Sequence, residues 1–105
     1  MIEDRRDHRA LAENLMKASN NLGVTLHNLH LKTGQTEYYS RAMVQFSDSS
    51  RYFDRLTRDP ETLERTGLSN LGYLNQRNLL FPNENYELQI YAELPLDMNS
   101  LELGS

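Results

Sequence analysis

The chain has 105 residues, enough for one domain, and its lack of cysteine excludes disulfides, thiolate nucleophiles and cysteine-ligated zinc. A net charge of −4 argues against free duplex nucleic acid as the default partner, because non-specific affinity comes mainly from neutralising phosphates. No run approaches the ~18 apolar residues of a membrane helix, and the first ten residues, MIEDRRDHRA, lack a signal peptide's apolar stretch, so a cytoplasmic or nuclear setting is expected.

Residues 3–32 read as one long helix. At about 100° per residue, Leu11, Leu15, Ala18, Leu26 and Leu29 all fall within about 40° of Leu22, a continuous stripe. Glu13 precedes Lys17 by one turn, the favourable order for a helical ion pair. The run Asn20-Asn21-Leu22-Gly23-Val24-Thr25 is the weak point, since a mid-helix glycine costs about 1 kcal/mol relative to alanine. The stripe keeps its phase across this run, which favours a continuous helix, and Gly34 after Lys32 marks its end.

A second helix is expected from Thr36, read as its cap, to about Arg58. Its stripe of Tyr39, Ala42, Phe46, Ser49, Phe53 and Leu56 alternates steps of three and four, a coiled-coil-like heptad pattern. Asp59-Pro60-Glu61 then opens a short third helix that ends near Gly67. The leucine-rich connector 68–80 carries an imperfect helix over 70–79, and Phe81-Pro82-Asn83-Glu84-Asn85 is a turn by its chemistry. Residues 86–94 alternate as a half-buried strand, with Leu88, Ile90, Ala92 and Leu94 on one side and Glu87, Gln89, Tyr91 and Glu93 on the other. Pro95 ends it, and residues 96–105 read as a frayed tail. The expected fold is mainly α: one domain over 1–105, an antiparallel helical hairpin with a short third helix, a connector and one C-terminal β-strand, forming a small helical bundle.

That architecture points to assembly. Two helices with narrow stripes cover each other along one seam only, and a lone strand leaves unpaired backbone groups on both edges. The strand needs a partner: residues around 78–81, the same strand of a second copy, or another protein's sheet. Val24 and Leu31 lie opposite the Leu22 stripe. With Tyr39, Phe46, Phe53, Leu88 and Ile90 they form the candidate interface, taken by a protein partner or by self in a homo-oligomer, simplest as a dimer.

Little in the chain speaks for catalysis or cofactors. His27 and His30 share a helix face, but no Glu-x-x-His pattern supplies further ligands, so they read as a polar flank with no metal or cofactor implied. Arg41, Arg51, Arg55 and Arg58 lie on one side of the second helix and form a candidate anion-contacting face, tempered by local pairing of Asp54 with Arg58 and of Arg55 with Asp59. Arg5, Arg6 and Arg9 are interleaved with acidic residues. No phosphate-cradling loop, nucleophile elbow or pair of carboxylates in apolar surroundings is present. The expected function is a non-enzymatic interaction or assembly module, an adaptor, subunit or regulator. The alternative is a nucleic-acid- or anion-binding regulator using the arginine face.

Overall fold

A computed structural model describes residues 5–58 and 69–92, with side chains from His8 onward. The short helix expected after Pro60 and the stretch from 93, including the end of the expected strand and the tail, lie outside the described residues. Three helices are present: α1 (Arg5–Thr33), α2 (Thr36–Thr57) and α3 (Leu71–Leu80).

The α1 helix is continuous through Gly23. It stops at Gly34, whose φ of +72° is the left-handed value that glycine adopts without a Cβ penalty. The Gly34 N–H closes the last turn on His30 O at 2.8 Å. Gln35, not Thr36, caps α2, and no side chain caps the α2 amides; instead Thr33 Oγ1 accepts from the Gln35 N–H at 3.2 Å. Thr36 is the first helical residue, and Gln35 before it has the extended φ and ψ of a cap position (−80° and 118°). The Glu13–Lys17 pair forms as expected, at 3.3 Å.

The two long helices make an antiparallel hairpin. Successive contacts pair Met16 with Ser49, Gly23 with Phe46 and His30 with Tyr39. On α2 the expected stripe is the packed one: Ala42, Phe46, Ser49 and Leu56 are buried, with Tyr39 and Phe53 half-buried beside them. On α1 it is not. The seam is Ala12, Met16, Gly23, Leu26 and His30, again in steps of three, four and seven, and it lies roughly 90° around the helix from the leucine stripe. Only Leu26 belongs to both.

The cause is steric. An ideal Cβ at position 23 would lie 2.6 Å from Phe46 Cε1, so the glycine is a notch into which the fully buried Phe46 ring sits. Leucine at the same height would hold the helices apart. Gly72 plays the same part for α3, where a Cβ would fall 2.7 Å from both Phe46 O and Ser49 Cβ. With Asn70 near Ser50 and Leu79 near Tyr39, α3 runs antiparallel to α2. Asn70 caps it, its side chain accepting from the Tyr73 N–H at 3.1 Å.

The core has two apolar clusters. One holds Met16, Leu56, Leu71 and Tyr91; the other holds Leu26, Ala42 and Phe46 with Leu79 and Leu88 against them. A fully buried polar layer of Asn20, Ser49 and Asn75 lies in the same interior. Ser49 Oγ donates to Met16 O at 2.7 Å, which gives the serine-rich middle of α2 a structural role.

Gly72→Ala meets backbone and a buried Cβ and is expected to destabilise by about 2–3 kcal/mol. Gly23→Ala meets the flat of a trapped ring, so the ~1 kcal/mol of added helix propensity is offset and the net effect is a loss. Urea unfolding measures both as a lower midpoint at unchanged slope. A gain of stability in Gly23→Ala would contradict the notch.

Candidate interaction surfaces

Because α2 seats on the glycine side of α1, the leucine stripe is left on the outside. Leu11, Leu22 and Leu29 are 56, 46 and 37 % exposed, with half-buried Leu15 and Ala18 between them. The ridge from Leu11 to Leu29 is about 27 Å long at 1.5 Å per residue. It carries no charge: within that span Glu13 and Lys17 are the only acidic or basic residues besides His27, and they pair with each other on the far side. At its N-terminal half the ridge borders a groove of about 380 Å³ against the end of α2, lined by Leu11, Ala12, Leu15, Tyr52, Arg55 and Leu56 among others.

A second surface is built by asparagines. Residues 86–91 pair with no strand and Ala92 is a bend, so the expected β-strand does not form a ladder among the described residues, although Gln89 and Tyr91 are bonded on one edge at strand-like two-residue spacing. Residues 78–80, considered above as its partner, belong to α3. Side-chain amides stand in for the missing strand. Asn75 Oδ1 accepts the Gln89 N–H at 3.0 Å while its Nδ2 donates to Gln89 O at 2.8 Å. Asn21 does the same for Tyr91, accepting from N at 2.9 Å and donating to O at 3.1 Å. Asn20 ties the two together, donating to Gln89 O at 2.9 Å and accepting from Asn75 Nδ2 at 2.8 Å. An asparagine amide offers one donor edge and one acceptor edge, the same pair a peptide group offers.

Two tyrosines anchor the segment. Tyr86 donates its hydroxyl to Asn75 Oδ1 at 2.7 Å. Tyr91 is buried, donates to Ser69 O at 2.5 Å and accepts from the Leu71 N–H at 3.1 Å. Burial pushes the Tyr91 phenol above its ordinary pKa, against the smaller opposite pull of the Leu71 amide. Among the described residues no buried side-chain nitrogen or oxygen lacks a partner.

The two histidine rings meet Tyr39 tilted or edge-on. His27 and His30 rings lie 6.5 and 5.5 Å from the Tyr39 ring, and His30 Nδ1 is 2.9 Å from Gln35 O, an acceptor that requires the proton on that nitrogen. Among the described residues no three His, Asp or Glu side chains gather into a metal-holding group. Burial, reinforced by His30, lowers the His27 pKa from its ordinary 6.5.

The candidate residues separate. Phe46 is fully buried, so it is a core residue and not an interface one; Phe53, Val24 and Leu88 are half-buried against the core, and Tyr39 bonds Leu79 O. Leu31 and Ile90 are exposed. In the arginine face Arg41, Arg51, Arg55 and Arg58 are all exposed; Arg51 pairs with Asp48 and Arg55 lies 5.6 Å above the Tyr52 ring. The expected Asp54–Arg58 pair does not form among the described residues, and Asp59 lies outside them. Sequence reasoning missed the asparagine clamp. Its signal was the adjacent pair Asn20-Asn21 inside a helix, where asparagine is a poor choice on propensity alone.

The fold and these surfaces define a small helical domain with an outward apolar ridge and an asparagine-clamped extended segment. No helix among the described residues is long and apolar enough to cross a membrane. No protein-family model, curated protein or solved structure matches the chain.

Asn75→Ala strips partners from Gln89, Asn20 and Tyr86 together and is expected to cost about 3 kcal/mol. Amide exchange should show Gln89 and Tyr91 losing protection first. His27 has a lowered folded pKa, so its contribution to stability is complete above the unfolded value of about 6.5 and is lost as pH falls below it. The urea midpoint should therefore fall between pH 7 and pH 5, and His27→Gln should flatten part of that fall.

Proposed function

We propose that this chain is a non-enzymatic protein–protein interaction or assembly module that receives an apolar helix of a partner chain along the leucine ridge of α1. The observation that carries the reading is the line of exposed Leu11, Leu22 and Leu29 with half-buried Leu15 and Ala18 between them, free of charge along its length. Single exposed leucines are ordinary on soluble proteins, but an aligned series at helical spacing is what helix-in-groove and coiled-coil partners read. The steps of four, three, four and seven match a heptad seam. The bordering groove between α1 and α2 adds a recess for a bulky anchor.

The arginine face supports the alternative less well. Arg51 already carries the Asp48 carboxylate, which offsets part of the positive charge of this face, and Arg55 lies over the Tyr52 ring.

Leu22 is half exposed and outside the seam, so Leu22→Lys should leave the helical circular dichroism and the urea midpoint within about 0.5 kcal/mol of the parent. Titration with a synthetic amphipathic peptide carrying leucines at heptad spacing tests the reading. The parent chain should bind it, and Leu22→Lys should weaken binding at least about tenfold, the effect of burying a charge in an apolar seam. No binding by the parent, or equal binding by the variant, would remove the ridge as the docking surface.

A further inference from the structure

We propose that the outer edge of segment 86–92 pairs, antiparallel, with the same segment of a second copy of this chain. In an extended chain, successive peptide groups face opposite edges. The N–H and C=O of Gln89 and Tyr91 face inward, onto Asn75, Asn20 and Asn21. Those of Leu88 and Ile90 therefore face outward, and among the described residues they have no hydrogen-bond partner. Ile90 is 56 % exposed on this edge.

The edge is preorganised. The two asparagine forks fix Gln89 and Tyr91, the Tyr86 and Tyr91 hydroxyls are bonded to Asn75 and Ser69, and Leu88 packs on the Leu26–Phe46 cluster. The ordering entropy that usually opposes strand addition is already spent in folding. Proteins that avoid edge pairing place lysine, proline or a bulge on such a strand, and residues 86–92 contain no lysine, proline or glycine.

The occupant follows from what each residue would face. With the two-fold axis at Gln89, Leu88 lies opposite the partner's Ile90 and each such pair exchanges both of its backbone bonds. Apolar side chains meet apolar ones, Gln89 meets the partner's Gln89, and Glu87 lies opposite the partner's Tyr91, so no like charges are opposed. The segment is its own complement. Seven residues make a small contact, so the pairing is concentration-dependent. This surface is separate from the α1 ridge, and the two can fail independently.

The test is sedimentation of the full chain over a wide concentration range, with amide hydrogen exchange read alongside. The parent should pass from monomer to dimer as concentration rises. The amides of Leu88 and Ile90 should gain about tenfold or more in protection, while those of Gln89 and Tyr91 stay protected throughout. Ile90→Pro deletes one outward N–H that the clamp does not use and should remain monomeric with unchanged helical circular dichroism. Ile90→Lys keeps the amide and sets a charge on the edge, so it should weaken the dimer even if proline disturbs the segment. The proposal is overturned if the parent is monomeric at every concentration with fast exchange at Leu88 and Ile90, or if the dimer survives both variants. A dimer lost in Leu22→Lys and kept in Ile90→Pro would assign self-association to the ridge and overturn the edge.

Discussion

The fully buried Phe46 ring occupies the space where a Cβ of residue 23 would be, and that contact fixes how α1 is turned about its own axis. A helix of this sequence has two apolar stripes, one of leucines and one through Met16, Gly23 and Leu26. Burial of apolar area alone favours the leucines. Close approach favours the glycine, because helix axes separate by the size of the residues between them and dispersion contacts are lost steeply with distance. The second stripe wins here. Once it does, the leucine ridge must face outward, and Asn20 and Asn21 must face the cleft against α3 where residues 86–92 lie.

The buried asparagines then answer an accounting question. An extended segment packed against helices brings its inward peptide groups out of water, and helices offer no free backbone to bond them. Asn75 and Asn21 each supply a donor and an acceptor on one planar group, and Asn20 links them into a single network. A network satisfied at every atom is stabilising and specific, whereas the same groups with one member missing are a liability. The clamp also sets register. A one-residue slip of the segment would turn Leu88 and Ile90 toward the asparagines and pull the Tyr91 phenol away from Ser69 O and the Leu71 amide.

Most of the secondary structure was legible from periodicity and punctuation. The stop at Gly34, the continuity through Gly23 and the packed face of α2 follow from spacing and local chemistry alone. The packed face of α1 was not legible, because periodicity ranks stripes by apolar content and cannot see that glycine permits a closer approach than leucine. Gly23 reads in isolation as a helix-weakening residue, and only its neighbour across the seam shows it to be a notch. The alternation of 86–94 misassigned the buried side: Tyr91 is the buried residue while Ile90 and Ala92 are exposed, because the segment is held by helix asparagines and not by a neighbouring strand. Nothing local marks a helical asparagine as a backbone mimic seventy residues away from the peptide it holds.

The ridge and the outer strand edge differ in why they exist. Clamping the inner edge of an extended segment unavoidably leaves the other edge open, so the open amides of Leu88 and Ile90 are a by-product of the fold whatever use is made of them. The leucines are different. Leu11, Leu22 and Leu29 lie outside both core clusters, and lysine, glutamate or glutamine would match them on helix propensity while improving solubility. A sequence with those substitutions would keep the Gly23 notch, both core clusters and the asparagine clamp. The contacts of the described residues therefore do not require an uncharged row of leucines along the outer face of α1, and that is the ground on which a docking role for the ridge is proposed.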